Sequence, residues 1–254
     1  MHCASHLAVP RQPGIAMRLL PLALLLLSAT LGAEERPLRF SVIESWAMPM
    51  MQIDNGKATG GILYDLQMRL AQKVGRRAEL LVMPRLRVQQ MLVRGEIDVR
   101  CYVNPAWLQE PHHQYIWSVP FMVQRDLLVS RPSDKLAPLP GETIGTVLGF
   151  IYPQLQSQFN TGQLVREDSR TQELALTKLV AERYRFTVSN ELSLNWFNRQ
   201  QPANRKLPAV REVASDLVAC IVRDAPDVPT MPLLRALVQM SNDGEFTAIL
   251  AKYR

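Results

Sequence analysis

The chain has 254 residues, of which 47% are hydrophobic and 20% charged, with 29 Lys+Arg against 23 Asp+Glu. That length and balance suit one large α/β domain or two small ones, and no low-complexity tract or internal repeat is present. The positive residues are scattered, with no aromatic-interleaved basic block beyond Arg85, Arg87 and Arg94, which argues against nucleic acid as a partner.

Leu19 to Leu31 is nearly all apolar, follows Met17 and Arg18, and leads into Gly32-Ala33-Glu34-Glu35. These are the charged, apolar and small-residue regions of a secretory signal peptide, and the apolar run is shorter than the ~20 residues a bilayer span needs. Met17 reads as the start, residues 1–16 as upstream translation, and Ala33 as the last residue removed, so 1–33 stand outside the fold. A membrane-anchored form is the alternative, but no lipid-attachment Cys follows the apolar region. Loss of Arg11 and Arg18 takes the Lys+Arg count from 29 to 27 against 23 acids, a mature net charge of about +4. Two cysteines remain, Cys101 and Cys220, which are either a disulfide in an oxidising compartment or two unrelated buried thiols.

Leu38, Phe40 and Val42 alternate with Arg39, Ser41 and Ile43, which predicts a short strand ending in the aperiodic loop Glu44 to Pro49. Asn55-Gly56 predicts a hairpin tip. The stretch from Gly60 to Val82 organises the rest. Ile62, Leu63, Leu66, Leu70 and Val74 recur at helical steps, with Gln67, Arg69, Gln72 and Lys73 assigned to the opposite face. Gly75 is placed to close the helix in the left-handed conformation, and Leu80-Leu81-Val82 to form a strand. A second helix starts at Pro84-Arg85, carries Val88, Met91 and Leu92, and closes at Gly95, and Glu96 to Val103 is the next strand. This β-α-β-α-β order implies a parallel sheet with right-handed crossovers.

The pattern breaks over the polar, aromatic stretch Asn104 to Tyr115, then restarts. Strands are predicted at Asp126–Ser130, Thr143–Val147, Tyr184–Val188 and Leu217–Val222, and helices at Tyr152–Phe159, around Leu174–Leu179, and at Asn190–Asn198. Two closing helices carry Leu233, Leu234, Leu237 and Val238, then Phe246, Ile249, Leu250 and Tyr253. His112-His113 is weak as a metal site, because adjacent side chains on an irregular loop point apart and no ligand cluster accompanies them, and no nucleophile elbow or phosphate loop is present. No metal or cofactor is expected.

In order and spacing, these pieces resemble the family 3 periplasmic solute-binding proteins, the amino-acid-type receptors of ABC importers. Gly61-Ile62-Leu63-Tyr64-Asp65-Leu66 matches the family's G-F-x-x-D-L, and Leu92-Val93-Arg94-Gly95-Glu96-Ile97-Asp98 its L-x-x-G-x-I-D. Trp117 to Phe121 matches F-S-x-P-Y, and Asn242 to Phe246 with Lys252-Tyr253 the closing D-G…K-Y. The resemblance implies a periplasmic, monomeric α/β protein of two lobes joined by two crossing strands. Lobe one would be about 36–125 plus 215–254, and lobe two 126–214, with a small molecule held between them. It also puts Cys101 and Cys220 on neighbouring strands of lobe one, which favours the disulfide.

The departures from the family pattern bear on the ligand. The segment after the third strand, Cys101 to Leu108, lacks the Arg that captures a ligand carboxylate in the family. Asn190 and Glu191 stand at the family's ammonium-binding Asp, and Phe150-Ile151 at its Thr/Ser pair. The resemblance therefore implies walls made by Ser45, Trp46, Met48, Tyr102, Asn104, Trp107, Phe150, Tyr152, Asn190 and Glu191. Such a cleft holds its solute with rings and lacks an arginine fork, so the ligand is expected not to be a standard α-amino acid. A non-catalytic receptor for an ABC permease or a membrane sensor is the leading expectation. The alternative is a cyclohexadienyl-dehydratase-like enzyme on the same fold, for which Glu191 is the acid the sequence offers.

Overall fold

The structure is a computed structural model that describes residues 35–108, 113–134 and 137–254. The expected start at Met17, the leader and the cleavage position lie outside the described residues, as does His112. No helix among the described residues is long and apolar enough to cross a membrane.

β1 (Leu38–Ile43) pairs in parallel with β4 (Ala78–Met83), from Leu38 opposite Ala78 to Ile43 opposite Met83, and on its other side with β5 (Val99–Val103). Between β1 and β4 lie the hairpin of β2 (Gln52–Asp54) and β3 (Lys57–Gly60), turned at Asn55-Gly56, and helix α1 (Ile62–Lys73). Gly61 is required where α1 begins: its φ is +107°, and a Cβ there would lie 2.7 Å from the Met51 Cα. Gly75 has the left-handed φ of +68° just past the helix. Helix α2 (Arg85–Val93) joins β4 to β5.

One residue of α1 departs from its expected face. Gln67 is 0% exposed, and its Nε2 donates to the Ser41 carbonyl. It stands four residues after Leu63 and three before Leu70, so it occupies the apolar stripe and not the solvent side.

The chain leaves this half of the sheet through β6 (Tyr115–Trp117) and β7 (Met122–Ser130). The second half contains β8 (Glu142–Val147), α3 (Gln156–Asn160), β9 (Leu164–Ser169), α4 (Gln172–Val180), β10 (Phe186–Asn190) and α5 (Glu191–Arg199). The chain returns along β11 (Ala209–Arg223), which is 15 residues long. The strand order is β4-β1-β5-β11-β7-β10-β8-β9, with β6 also on β11. One end of β11 pairs with β7, from Ala209 opposite Val129 to Val218 opposite Met122, and the other pairs with β5 and β6. β7 and β11 are thus the two strands that run between the halves. Helices α6 (Thr230–Asn242) and α7 (Glu245–Ala251) close the chain against α1.

The apolar side chains divide in the same way. One cluster gathers residues of β1, α1, α2, β5, the end of β11 and the C-terminal helices, including Phe40, Leu66, Leu92, Val222 and Leu237. Two smaller clusters, around Leu128, Ile144 and Phe186 and around Val129, Leu176 and Leu194, fill the other half. Phe150 lies against the first cluster and one of the smaller ones, so a ring from the second half closes on the first. Cys220 is in register with Cys101, and the two are joined by a disulfide.

Candidate functional site

Between the halves is a small, partly open cavity of about 30 Å³. Its first wall comes from the end of β1 and from β5. Trp46 follows β1, and Tyr102 sits in β5 with φ +61°, next to the irregularity in β11 at Ala219/Cys220. Asn104 Oδ1 accepts from the Ala106 N–H at 2.9 Å, which caps a single 3₁₀ turn (Pro105–Trp107) and sets the Trp107 ring. The Trp46 and Tyr102 rings meet edge to face at 6.1 Å, and Trp107 lies 6.1 Å from Tyr102 on the other side. The second wall is Phe150 and Tyr152, 6.5 Å apart, with the Tyr152 hydroxyl accepting from the Val147 N–H at 3.1 Å. Gln124 and Asp126 of β7 line the cavity between the two walls.

The charges in this cavity depart from the expectation of a ring-only grip. Arg100, the second residue of β5, lines it and is 1% exposed. Its Nε and Nη1 are buried without a hydrogen-bond partner among the described residues. Arg85, at the start of α2, lines the same cavity and gives one Nη2 hydrogen bond to the Trp107 carbonyl at 2.9 Å. Burial, then the neighbouring Arg85, push the Arg100 guanidinium down to about 9, and burial lowers Arg85 as well. Asp126 is buried and accepts from Gln124 Nε2 at 2.9 Å. Burial pushes its carboxyl up to about 6, against the pull of Gln124, with Asp216 adding to the rise. Burial, then Asp126 and Asp216, also hold the Tyr102 hydroxyl well above its ordinary range.

Of the residues expected at the cleft, the cavity brings together Trp46, Tyr102, Trp107, Phe150 and Tyr152. Ser45 lines an adjoining groove of about 590 Å³ that shares Arg85 with the cavity and also holds Arg170 and Gly149. Met48 is half-buried in the same loop as Trp46 and is not among the residues lining the cavity. Asn104 is committed to its cap and to the Leu217 carbonyl at 2.9 Å. Asn190 caps α5 through the Ser193 N–H at 2.7 Å and donates to Gln172 Oε1 at 2.7 Å. Asn190 and Glu191 line a separate hollow of about 280 Å³, reached by Tyr102 and Leu250, where Glu191 stands 3.7 Å from Arg125. Sequence reasoning missed Arg85, Arg100, Gln124 and Asp126. For Arg100 a signal was present, since a charged residue inside a buried apolar strand needs a partner. Among the described residues no group of three or more His, Cys, Asp or Glu is arranged to hold a metal ion.

No protein-family model and no curated protein matches the chain. Solved structures do match its fold. An ancestral arginine-binding protein bound to arginine superposes with a TM-score of 0.70 at 22% identity, over 86% of this chain and 99% of that one. The ancestral amino acid-binding protein AncCDT-1, a precursor of cyclohexadienyl dehydratase, gives 0.69 at 16% identity, over 85% and 95%. The VFT2 domain of BvgS from Bordetella pertussis gives 0.64 at 20% identity, over 85% and 93%. The chain has the two-lobed α/β fold of the family 3 solute-binding proteins.

Proposed function

We propose that this protein is an exported, non-catalytic receptor that closes two lobes over a small solute, and that it serves an ABC importer or a membrane sensor in the periplasm. The lobes would be residues 36–125 with 215–254, and 126–214, a division supported by the separate apolar clusters. The observation that carries the reading is the cavity lined by both halves, with a buried guanidinium that has donors to spare. A site of that kind is stabilised by what enters it. The match to amino acid-binding proteins supports solute binding, and Asn190 at the position of the family's ammonium-binding Asp, its side chain spent on a helix cap, supports a solute other than a standard α-amino acid.

A screen of thermal unfolding against amino acids, polyamines, sugars and organic acids tests this. A receptor gains about 2.7 kcal/mol from a solute at 100 times its dissociation constant. No gain from any class would contradict the reading. For the dehydratase-like alternative, Glu191 lines a hollow that adjoins the cavity through Tyr102 and Gln124, while Asp126 lines the cavity itself. If turnover of a cyclohexadienyl acid is found, the carboxyl to test is Asp126, and Asp126→Asn would abolish it.

A further inference from the structure

The cavity specifies a charge class. Arg100 is the largest fully buried side chain among the described residues, and its Nε and Nη1 meet no acceptor there. A guanidinium carries five donors in a fixed plane, and leaving those on Nε and Nη1 buried and unpaired costs stability that a purely structural residue would not retain. Arg85 adds a second positive charge to the same small space. The acid present, Asp126, is engaged by Gln124, and no ion pair joins it to either guanidinium among the described residues.

Resting on the receptor reading above, we propose that Arg100 and Arg85 are the anion grip of this cavity, and that the solute is a small carboxylate with a flat or apolar body. The planar guanidinium fork matches a carboxylate in two parallel hydrogen bonds. One such group compensates the excess positive charge beside Asp126, whereas a cationic solute would add to it. The remaining wall, Trp46, Tyr102 and Trp107, offers ring faces and edges to the body of the solute. At about 30 Å³ the cavity holds only a small group, so the body enters when the halves part and Phe150 and Tyr152 draw back. The charge class is thus opposite to that of the arginine held by the ancestral arginine-binding protein.

The test is thermal unfolding and calorimetric titration of the purified exported protein with benzoate, phenylacetate, succinate and inorganic phosphate, set against agmatine, cadaverine and putrescine. The expected result is a melting shift of several degrees with at least one carboxylate and none with the cations. Arg100→Met should weaken that carboxylate by at least about 30-fold, as expected when one partner of a buried charge pair is removed. Arg85→Gln, at a less buried position, gives a second reading should Arg100→Met fail to melt cooperatively.

A shift with agmatine, cadaverine or putrescine and none with the carboxylates overturns the inference and leaves the receptor reading standing. Phosphate acting alone overturns the carboxylate assignment. Equal carboxylate shifts in wild type and both variants mean an adventitious ion only. Silence from these probes overturns the inference, and silence from the broad solute screen as well overturns the receptor reading with it.

Discussion

Two groups of arginines sit in this molecule, and they are handled in opposite ways. Arg36, Arg39 and Arg223 converge on Asp98, whose side chain is 0% exposed. Arg36 Nη1 reaches it at 2.6 Å, the Arg39 backbone N–H at 2.9 Å and Arg223 Nη2 at 3.0 Å. Burial pushes the Asp98 carboxyl up, but the hydrogen bonds from Arg36 and Arg39 outweigh it and hold the group well below the usual carboxylate range. Arg85 and Arg100 have no such hub. A buried acid surrounded by its partners fastens β1, β5 and β11 together, while a buried guanidinium with donors left unpaired among the described residues, as in Arg100, implies a visitor.

The first way to break this contrast is Asp98→Asn, which leaves three guanidiniums facing one another around a weakened acceptor. Stability should fall by about 3–5 kcal/mol in urea unfolding. A loss under 1 kcal/mol would mean the hub is solvated in practice.

Arg100→Met should do the reverse without solute, raising stability by roughly 2–4 kcal/mol, because an apolar chain of similar length replaces a desolvated charge. A fall as large as that of Asp98→Asn would place Arg100 in the structural class.

Asp126 sharpens the comparison from the acid side. Its ordinary value is 3.8 and in the fold it lies near 6, so between these values the folded chain binds more protons than the unfolded one. Its contribution to stability therefore falls as pH rises from about 4 to 6 and stays low above. Asp126→Asn should gain about 3 kcal/mol at pH 8 and little near pH 4, read from unfolding curves at both. The smallest effect is expected from the pair of Lys252 and Asp65 at 2.9 Å, where Lys252 is 62% exposed. Lys252→Ala should change stability by less than about 1 kcal/mol, and less still in high salt.

Much of the fold was legible because it follows apolar spacing. The stripe of α1, the runs of β1 and β4 and the turn at Gly75 all read directly, as did the neighbouring strands carrying Cys101 and Cys220 once the family resemblance had supplied their order. The parts that did not read carry weak apolar signals. β9 lies at the sheet edge and pairs only with β8, so its sequence Leu164-Val-Arg-Glu-Asp-Ser is mostly polar. The first half of β11 pairs with β7 and is largely exposed, which hid it until Leu217.

The site was half legible for a related reason. Large rings stand out in any sequence, and Trp46, Tyr102, Trp107, Phe150 and Tyr152 do meet. Arg100 was absorbed into a strand and Arg85 into a helix start, because an arginine's usual place is at the surface and only tertiary structure puts these two against one cavity. Asn190 drew attention by its position in the family pattern, but its side chain is spent on a helix cap.

The most direct measurement is a crystal structure of the protein grown with the carboxylate that shifts its melting most. The account predicts that carboxylate between the halves, an oxygen within hydrogen-bond distance of Arg100 Nε or Nη1 and another within reach of Arg85. Electron density for the solute elsewhere, or Arg100 bonded to groups of the protein with the cavity closed over nothing, would contradict it.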